Sequence, residues 1–327
     1  MDMTVRDWFE TRSFRHQDFR ALASPGWPQG RQRVSLILPA RNCAATIGPI
    51  LDTVAAVRQR SGLIDQVIVV DADSGDGTAD IARARGAEVW SENDLLPDYG
   101  PAQGKGDAMW RSLSVARGEV VMFADADTAD FGEHFLYGTL GPILTMPDIA
   151  FVKAAYRRPY TQQERQSVVD GGGRVTELMA KPLLNFYRPE LAGFVQPLAG
   201  EFAAHRALLT HLPFMTGYGV ELALLIDVLR ETGLEAMAQV DLGSRQNAHQ
   251  HLRDLTRMSS AVLEAMARRQ PGVPPRGRDL GPGVPELGQP TYLHAVATDS
   301  GLRLDEHLTG LVERPPLAEV LARDPVS

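Results

Sequence analysis

Short, largely apolar runs alternate with helical segments, and this pattern constrains the fold most strongly. From residue 34 onward, runs such as Val34–Leu38 and Val67–Val70 flank the stretch Thr46–Arg60, which has helical periodicity. A further apolar run covers residues 120–124. Strands that alternate with helices of this length predict an α/β fold with a mostly parallel sheet covered on both faces. Ligands of such folds bind at the carboxyl ends of the strands, so polar residues directly after a strand are candidates for function.

The pattern divides the chain into three predicted parts. Residues 1–30 are polar and aromatic and are expected to form a short helix and a loop. Residues 31–150 carry the regular alternation of strand and helix. The pattern loosens over residues 151–327, which include a stretch rich in Pro and Gly at 271–290. We therefore expect an N-terminal extension, a ligand-binding sheet and a second half with a C-terminal tail.

Composition and charge exclude several classes of protein. The formal net charge of −8 disfavours non-specific binding to nucleic acid or to an anionic membrane surface. No apolar window approaches eighteen residues, so no membrane span is predicted. The charged N-terminus lacks the apolar region of a secretory signal. The single cysteine, Cys43, excludes an intrachain disulfide framework and suits a reducing, cytoplasmic location.

Two carboxylates, Asp125 and Asp127, follow the apolar run at 120–124. Placed two residues apart beyond a buried strand, they can reach a divalent cation together with a diphosphate. Mg²⁺ and Mn²⁺ prefer such oxygen ligands and commonly share them with substrate phosphates. The alternative is a solvated turn in which an Asp caps a helix.

Two further turns carry candidate nucleotide ligands. Asp71 follows a strand and could hydrogen-bond a nucleoside, although a tight turn without a ligand is the alternative. Lys105 lies between two glycines at a predicted helix start, where it could bind a diphosphate or lie on a solvated surface. A P-loop is excluded because Gly100 is one residue too close to Gly104 and Gly106 replaces the Ser or Thr that binds Mg²⁺.

The glycine-rich segment at 171–177 predicts a second anion site. Three consecutive glycines leave backbone N–H groups open to a small anion, and Arg174 adds a planar set of donors. The helix predicted from Val175 directs its positive end toward the same place. A small phosphorylated acid fits this site, whereas the alternative is a flexible linker.

Three more polar residues are candidates. Glu221 precedes an apolar helical segment, where it could interact with the helix dipole or hydrogen-bond sugar hydroxyls. His249 and His251 follow a predicted strand. One of them could be a metal ligand, and the alternative is that both face solvent.

Together these segments resemble the GT-A nucleotide-sugar glycosyltransferases, and within them the actinobacterial glucosyl-3-phosphoglycerate synthases. The matching segments include VIVVDADSGDGT, VVMFADAD, GGGRVTELMAKPLL and QPLAGEFAAHRALLTHLPF. The resemblance implies a GT-A, Rossmann-like, nucleotide-sugar-binding sheet at 31–150 and an acceptor-binding α/β extension at 151–327. It also implies a retaining transfer of glucose from UDP-glucose to 3-phosphoglycerate, with Mg²⁺ or Mn²⁺ as cofactor.

The resemblance assigns roles to matching positions of this chain. It implies that the metal binds Asp127 with His249, and that catalysis depends on Asp127 and Glu221. The implied donor-binding residues are Pro39, Ala40, Asp71, Lys105, Asp125, Leu198 and Glu221. The implied acceptor-binding residues are Gly173, Arg174, Val175, Thr176 and Tyr218.

The chain departs from the family pattern at two places. Cys43 stands where the family commonly has Glu. An ungapped alignment places Asn247 at the metal-binding histidine, whereas a shift of two residues places His249 there. We prefer His249 because a neutral imidazole is the better third ligand.

Other functions remain open at this stage. A related transferase could use another nucleotide sugar, such as GDP-mannose, or another small anionic acceptor. A sugar nucleotidyltransferase usually has a Gly- and Arg-rich loop after the first strand, and PARNCAAT has none. An inactive sugar-nucleotide binder is a third alternative. The expected partners are small molecules rather than nucleic acid or membrane, and we expect a homodimer.

Overall fold

A computed structural model describes residues 3–26, 31–158, 160–161, 167–168, 172–245, 252–270, 291–298, 301–308 and 311–323. The predicted ligand positions Asn247, His249 and His251 lie outside these residues, as does the Pro- and Gly-rich stretch at 271–290. None of the helices in the described part of the chain has the length and apolarity needed to cross a bilayer.

The described chain alternates strands and helices over most of its length. The strands are β1 Ser13–Arg15, β2 Val34–Ala40, β3 Gln66–Asp71, β4 Glu88–Ser91, β5 Val120–Phe123, β6 Phe151–Arg157, β7 Tyr160–Thr161, β8 Ser167–Val168, β9 Phe202–His205, β10 Phe214–Met215, β11 Met237–Ser244, β12 Thr291–Thr298, β13 Gly301–Leu308 and β14 Glu313–Arg314. The helices are α1 Val5–Arg12, α2 Ala44–Ser61, α3 Thr78–Ala84, α4 Lys105–Ser112, α5 Glu133–Thr145, α6 Lys181–Tyr187, α7 Arg206–His211, α8 Val220–Thr232, α9 Leu252–Arg268 and α10 Leu317–Arg323. Short 3-10 helices lie at His16–Ala23, Pro97–Tyr99, Pro189–Leu191, Gly217–Gly219 and Leu234–Ala236, and a π-helical turn lies at Thr176–Ala180.

The central sheet has eight strands in the order β1-β11-β6-β9-β5-β2-β3-β4. All neighbouring pairs are parallel except those of β9, which runs antiparallel to both β5 and β6. The predicted α/β fold with a mostly parallel sheet is therefore confirmed. The sheet draws strands from both predicted halves of the chain, and the division at residue 150 remains a prediction.

Apolar side chains cover both faces of this sheet. One face packs Trp110, Phe123 and Phe202 into a buried cluster, and the other packs Leu36 and Phe135 into a second cluster. Strands buried on both faces read as nearly continuous apolar runs rather than as alternating patterns. This explains why the apolar runs of the sequence located β2, β3 and β5 correctly.

The N-terminal extension differs from the predicted helix and loop. After α1, residues 13–15 add a short strand to the edge of the sheet, parallel to β11. Trp8 anchors this extension, because its side chain is completely buried and its Nε1 donates a 2.8 Å hydrogen bond to the Met237 carbonyl. A strand of three residues is too short to show a period in the sequence, so only its pairing with β11 reveals it.

The direction of β9 determines which residues meet at one edge of the sheet. The parallel strands β2, β3, β5, β6 and β11 all end at that edge. Because β9 runs the other way, it begins there, and Glu201 lies directly before its first residue. The edge therefore combines residues that follow strands with residues that precede one.

Candidate active site

Two acidic residues directly after β5 form the centre of the candidate site. Asp125 accepts a 2.5 Å hydrogen bond from the Lys105 ammonium, which also forms a 2.8 Å ion pair with Glu221. Lys105 begins α4, and Glu221 lies in the first turn of α8. The fold thus brings together three residues that the sequence predicted separately.

Arg245, the residue directly after β11, joins the acidic residues from another strand. Its Nη2 donates to Asp125 at 2.9 Å and to Asp127 at 3.4 Å, while its Nη1 donates to Glu201 at 2.8 Å. The Tyr156 hydroxyl accepts from Arg245 at 2.8 Å and donates to Glu201 at 3.0 Å. Because Arg245 is only 1% exposed, these are desolvated, charge-assisted contacts.

Burial and neighbouring charges set the ionisation of this cluster. Burial alone would raise the pKa of Asp125, but Lys105 and Arg245 hold it well below its ordinary value. Burial raises the pKa of Glu201 despite the attraction of Arg245. Burial would lower the pKa of Lys105, yet Asp125 and Glu221 raise it above its ordinary value. Asp125 and Lys105 are therefore both charged at neutral pH.

The ends of β2 and β3 form the predicted nucleoside pocket. Pro39 pairs with Val70, and Ala40 pairs with Asp71, so three predicted nucleotide-binding residues are adjacent. Asp71 is 5% exposed, and one of its carboxylate oxygens accepts a 2.8 Å bond from the Ser74 backbone. The other oxygen is buried without a partner among the described residues. An orphaned acceptor is costly, and a hydroxyl or N–H donor of a nucleoside would satisfy it.

The predicted acceptor loop is attached to the end of β6. The Gly172 N–H donates to the Arg158 carbonyl at 2.9 Å, and Arg158 Nη2 donates to the Tyr156 hydroxyl at 3.1 Å. Gly173 has a φ of 69°, a left-handed conformation that favours glycine. Through Tyr156 the loop is connected to Arg245, and hence to the acidic centre of the site.

Arg174, Val175 and Thr176 lead from this loop into the π-helical turn and α6, which agrees with the predicted helix. Such turns are frequent at functional sites. The side chains of Val175 and Thr176 are 7% and 2% exposed. Arg174 is half-buried and is thus less enclosed than these two residues.

Leu198 and Tyr218 complete the set of predicted residues within the described chain. Tyr218 is 50% exposed and follows Gly217. The Gly217 N–H donates a 3.1 Å hydrogen bond to the carbonyl of Gln103, which lies two residues before Lys105. Leu198 is partly buried against the core. It lies two residues before Gly200, where any Cβ atom would collide with the side chains of Asp125 and Lys105. A glycine at 200 thus permits the close approach of these two charged groups.

A buried ion-pair network fixes the helix that carries Lys105. Asp107 accepts bonds from Arg111 at 3.1 Å and from Arg314 at 3.0 and 2.6 Å. Trp110 Nε1 donates to the Pro315 carbonyl at 2.8 Å. The C-terminal segment around β14 therefore closes over α4 and holds it in place.

The residues present fit a divalent metal at Asp127. Its side chain is 66% exposed, and the 3.4 Å contact with Arg245 leaves most of its acceptor capacity available. The described residues form no cluster of three or more metal-binding side chains. A cation held by one or two carboxylates and by substrate phosphates is the usual arrangement for Mg²⁺. The predicted ligand His249 lies outside the described residues, so its role stays a prediction.

Fold and site together define a GT-A glycosyltransferase. The family model described as "Glycosyl transferase family 2" matches residues 35–200. The glucosyl-3-phosphoglycerate synthase of Mycobacterium tuberculosis is 41% identical over 302 residues, which cover 90% of each chain. The chain therefore belongs to the glucosyl-3-phosphoglycerate synthase family, as the sequence resemblance predicted.

Two solved structures extend the comparison. The mannosyl-3-phosphoglycerate synthase of Rubrobacter xylanophilus is 52% identical, with a TM-score of 0.83 over 98% of this chain and 99% of that chain. The M. tuberculosis glucosyl-3-phosphoglycerate synthase, in complex with Mn²⁺, UDP and phosphoglyceric acid, is 37% identical. Its TM-score is 0.76 over 90% of this chain and 96% of that chain. The expected divalent cofactor thus has a counterpart in a close relative.

Sequence reasoning missed several residues of this edge, for different reasons. Arg245 directly follows a strand, so the rule that located Asp125 would also have found it. Glu201 precedes its strand, so a search for polar residues directly after strands does not find it. Lys153 stands inside the apolar run of β6, where an ionisable residue is itself an unused signal.

Proposed function

We propose that the protein transfers glucose from UDP-glucose to 3-phosphoglycerate with retention of configuration, using Mg²⁺ or Mn²⁺. One observation carries this proposal: a single sheet edge joins the acidic centre to the glycine loop through Arg245, Tyr156 and Arg158. The candidate nucleoside and metal ligands thus adjoin the glycine-rich loop that we propose binds the acceptor. This arrangement suits a two-substrate transfer, in which positioning supplies much of the rate.

The donor would lie along the ends of β2, β3 and β5. Asp71, Pro39 and Ala40 would hold the nucleoside, and Lys105 would interact with the nucleotide. Leu198 and Glu221 would position the glucose. Asp127, with His249, would hold the divalent cation, which supplies charge stabilisation to the diphosphate as the sugar–phosphate bond breaks.

The ion pair between Glu221 and Lys105 favours one of the possible routes to retention of configuration at the transferred sugar. Its carboxylate contacts Lys105 at 2.8 Å, which stabilises the anion and fixes its position rather than leaving it free to attack. We therefore propose front-face attack by the acceptor hydroxyl on an oxocarbenium-like centre. The new glycosidic bond forms on the face from which the phosphate leaves, and a departing phosphate oxygen takes the hydroxyl proton.

Mass spectrometry of the products formed from UDP-glucose and 3-phosphoglycerate with Mg²⁺ tests the function directly. The expected product has the mass of one hexose added to phosphoglycerate, released together with UDP. Anomeric proton coupling in the product would report retention. Release of UDP without formation of hexosyl phosphoglycerate would exclude 3-phosphoglycerate as the acceptor.

A mannosyl donor is the second candidate, favoured by the 52% identity to the R. xylanophilus mannosyl-3-phosphoglycerate synthase. Assaying UDP-glucose and GDP-mannose side by side, with the same acceptor and metal, separates the two functions. A higher kcat/KM for UDP-glucose supports the glucosyl assignment. A higher value for GDP-mannose replaces it with the mannosyl assignment.

Arg174→Ala is expected to weaken acceptor binding selectively. Removing a charged donor to a phosphate or carboxylate should raise the acceptor KM about 10- to 100-fold, the usual effect of losing a charge-assisted hydrogen bond. The KM for UDP-glucose should change little. Steady-state kinetics in both substrates measure the split.

The matched control is Arg117→Ala, which removes a 63% exposed guanidinium paired with Glu88 at the protein surface. It should leave both KM values unchanged. An unchanged acceptor KM in the Arg174 variant would exclude Arg174 from the acceptor site.

We also propose a homodimer and a cytosolic setting. Leu178, Phe186 and Tyr187 are 74%, 80% and 44% exposed, and exposed apolar groups near one another commonly mark an interface. Cys43 is a buried free thiol, which suits a reducing compartment. Light scattering at micromolar concentration should give twice the monomer mass, and a monomer mass would contradict the dimer.

A further inference from the structure

Lys153 is a cation buried in the centre of the sheet. Its side chain belongs to β6, and the residue is 1% exposed. The ammonium makes no hydrogen bond and no ion pair with any described residue, and it lies over the ring of Phe202, 5.2 Å from the centroid. Burying an ammonium without acceptors is unfavourable, so an apolar residue would be expected here on stability grounds alone.

The charges that act on Lys153 belong to the candidate active site. Glu221 attracts it most strongly, followed by Glu201 and Asp125, while Lys105 repels it. Burial is the largest influence and lowers the pKa of Lys153 to about 8. The ammonium thus lies close enough to Glu221 to sense its charge, but not close enough to form an ion pair with it.

The use of lysine in this chain is selective. Lys and Arg together number 33, yet the only lysines are Lys105, Lys153 and Lys181. Two of these three contribute to the buried charge cluster, whereas Lys181 forms a half-exposed pair with Glu177 one turn away. A compact ammonium with three freely rotating donors fits where a planar guanidinium does not. A lysine at 153 in an arginine-rich chain is consistent with a requirement for that shape.

We propose that Lys153 binds the donor sugar, by donating a hydrogen bond to a hexose hydroxyl that in turn donates to Glu221. This inference rests on the proposed function, because it names the sugar of the sugar nucleotide as the ligand. A hydroxyl can accept from the ammonium and donate to the carboxylate at the same time. A phosphate oxygen can accept from Lys153, but the Glu221 carboxylate would repel it. The pair therefore selects a hydroxyl rather than the diphosphate.

Kinetics with deoxygenated donors test this contact. The wild type and Lys153→Met are compared with UDP-glucose and with its 2-, 3-, 4- and 6-deoxy analogues. We expect Lys153→Met to lose about 10- to 100-fold in kcat/KM with UDP-glucose, as for a lost hydrogen bond to a charged group. With one deoxy analogue, the kcat/KM of the wild type should fall by a similar factor relative to UDP-glucose, whereas the kcat/KM of the variant should hardly change. The proposal is overturned if the effects of the substitution and of deoxygenation are additive for every analogue, or if Lys153→Met has the same kcat/KM for UDP-glucose as the wild type.

Binding of UDP separates the sugar from the nucleotide. Calorimetric affinity for UDP with Mg²⁺ should be the same in the wild type and in Lys153→Met, and a parallel loss would place Lys153 on the diphosphate instead. Lys181→Met is the matched control and should behave as wild type throughout. Wild-type turnover with UDP-glucose tests the proposed function, whereas the ratio between variant and wild type tests Lys153.

A ligand titration of the unaltered protein tests the contact without a kinetic assay. Lysine labelled with ¹⁵N at Nζ gives three side-chain signals, one for each lysine of the chain. Lys153→Arg and Lys181→Met assign them by disappearance. UDP-glucose with Mg²⁺ should shift the Lys153 signal beyond any shift caused by UDP. Identical spectra with the two ligands would rule out a contact with the sugar.

Discussion

Arg245→Met should destabilise the protein by about 3–5 kcal/mol, the usual cost of removing one partner from a buried ion pair. Arg245 is 1% exposed, and its guanidinium contacts Asp125, Asp127 and Glu201. Without it, the Tyr156 hydroxyl would be the one remaining donor to the completely buried Glu201 among the residues that the structure describes. Denaturant unfolding of the wild type and the variant measures the difference, provided that both unfold in a single transition.

The pH dependence of this loss identifies its cause. Burial already raises the pKa of Glu201 with Arg245 present, and removing the cation raises it further. The folded variant then retains a proton that the unfolded chain releases, so its stability falls as the pH rises from the ordinary Glu range through the raised pKa. We expect the deficit to be smaller at pH 5 than at pH 8.

Two variants control the Arg245 experiment. Arg245→Met/Glu201→Gln removes the unpaired carboxylate together with the cation and should recover much of the lost stability. Arg83→Met breaks an exposed pair with Asp80 and should cost at most about 1 kcal/mol. A loss in Arg245→Met no larger than that of Arg83→Met would show that the buried network does not support the fold.

Asp127→Ala should abolish most activity while leaving the fold intact. As the proposed metal ligand, Asp127 acts on the charge that develops at the diphosphate, and losing such a contact typically costs about 100- to 1,000-fold in kcat. Its side chain is 66% exposed, and its contact with Arg245 is long at 3.4 Å, so little stability should be lost. The concentration of Mg²⁺ or Mn²⁺ required for half-maximal activity should rise sharply.

Asp80→Ala is the matched control, because it removes an 86% exposed carboxylate from α3. It should retain wild-type kinetics and metal dependence. If Asp127→Ala kept the wild-type metal requirement, the cation would have to be held elsewhere. A metal titration of UDP binding, which needs no turnover, distinguishes loss of the ion from a later effect on the reaction.

Local patterns predicted the strands that carry the proposed donor site. The apolar runs before Asp71 and Asp125 correspond to β3 and β5, and Lys105 begins α4 as expected. These signals succeed because a central parallel strand is apolar on both faces and ends in a polar turn. The glycine loop before Arg174 was also recognised, and the structure connects it to the same edge through Arg158.

Other features of the structure could not be predicted from local sequence patterns. The strand β1 was not expected. Glu201 was not assigned a role, because its importance comes from its contact with Arg245, which lies 44 positions away in the chain. The network from Asp107 to Arg314 spans 207 positions, and no window of sequence can show it.

By itself the sequence determined the fold class, the family and the residue types available for chemistry, because strand and helix periods and motif spacings are local properties of the chain. Only the tertiary structure decided which of those residues meet. The antiparallel β9 places Glu201 at the edge where the parallel strands end, and β11 delivers Arg245 to the same point. The burial of Lys153, and its lack of a hydrogen-bond or ion-pair partner among the described residues, were also visible only in the structure. Strand order and direction are fixed by long-range pairing and by the burial of two apolar faces, which the local periodicity of a sequence does not record.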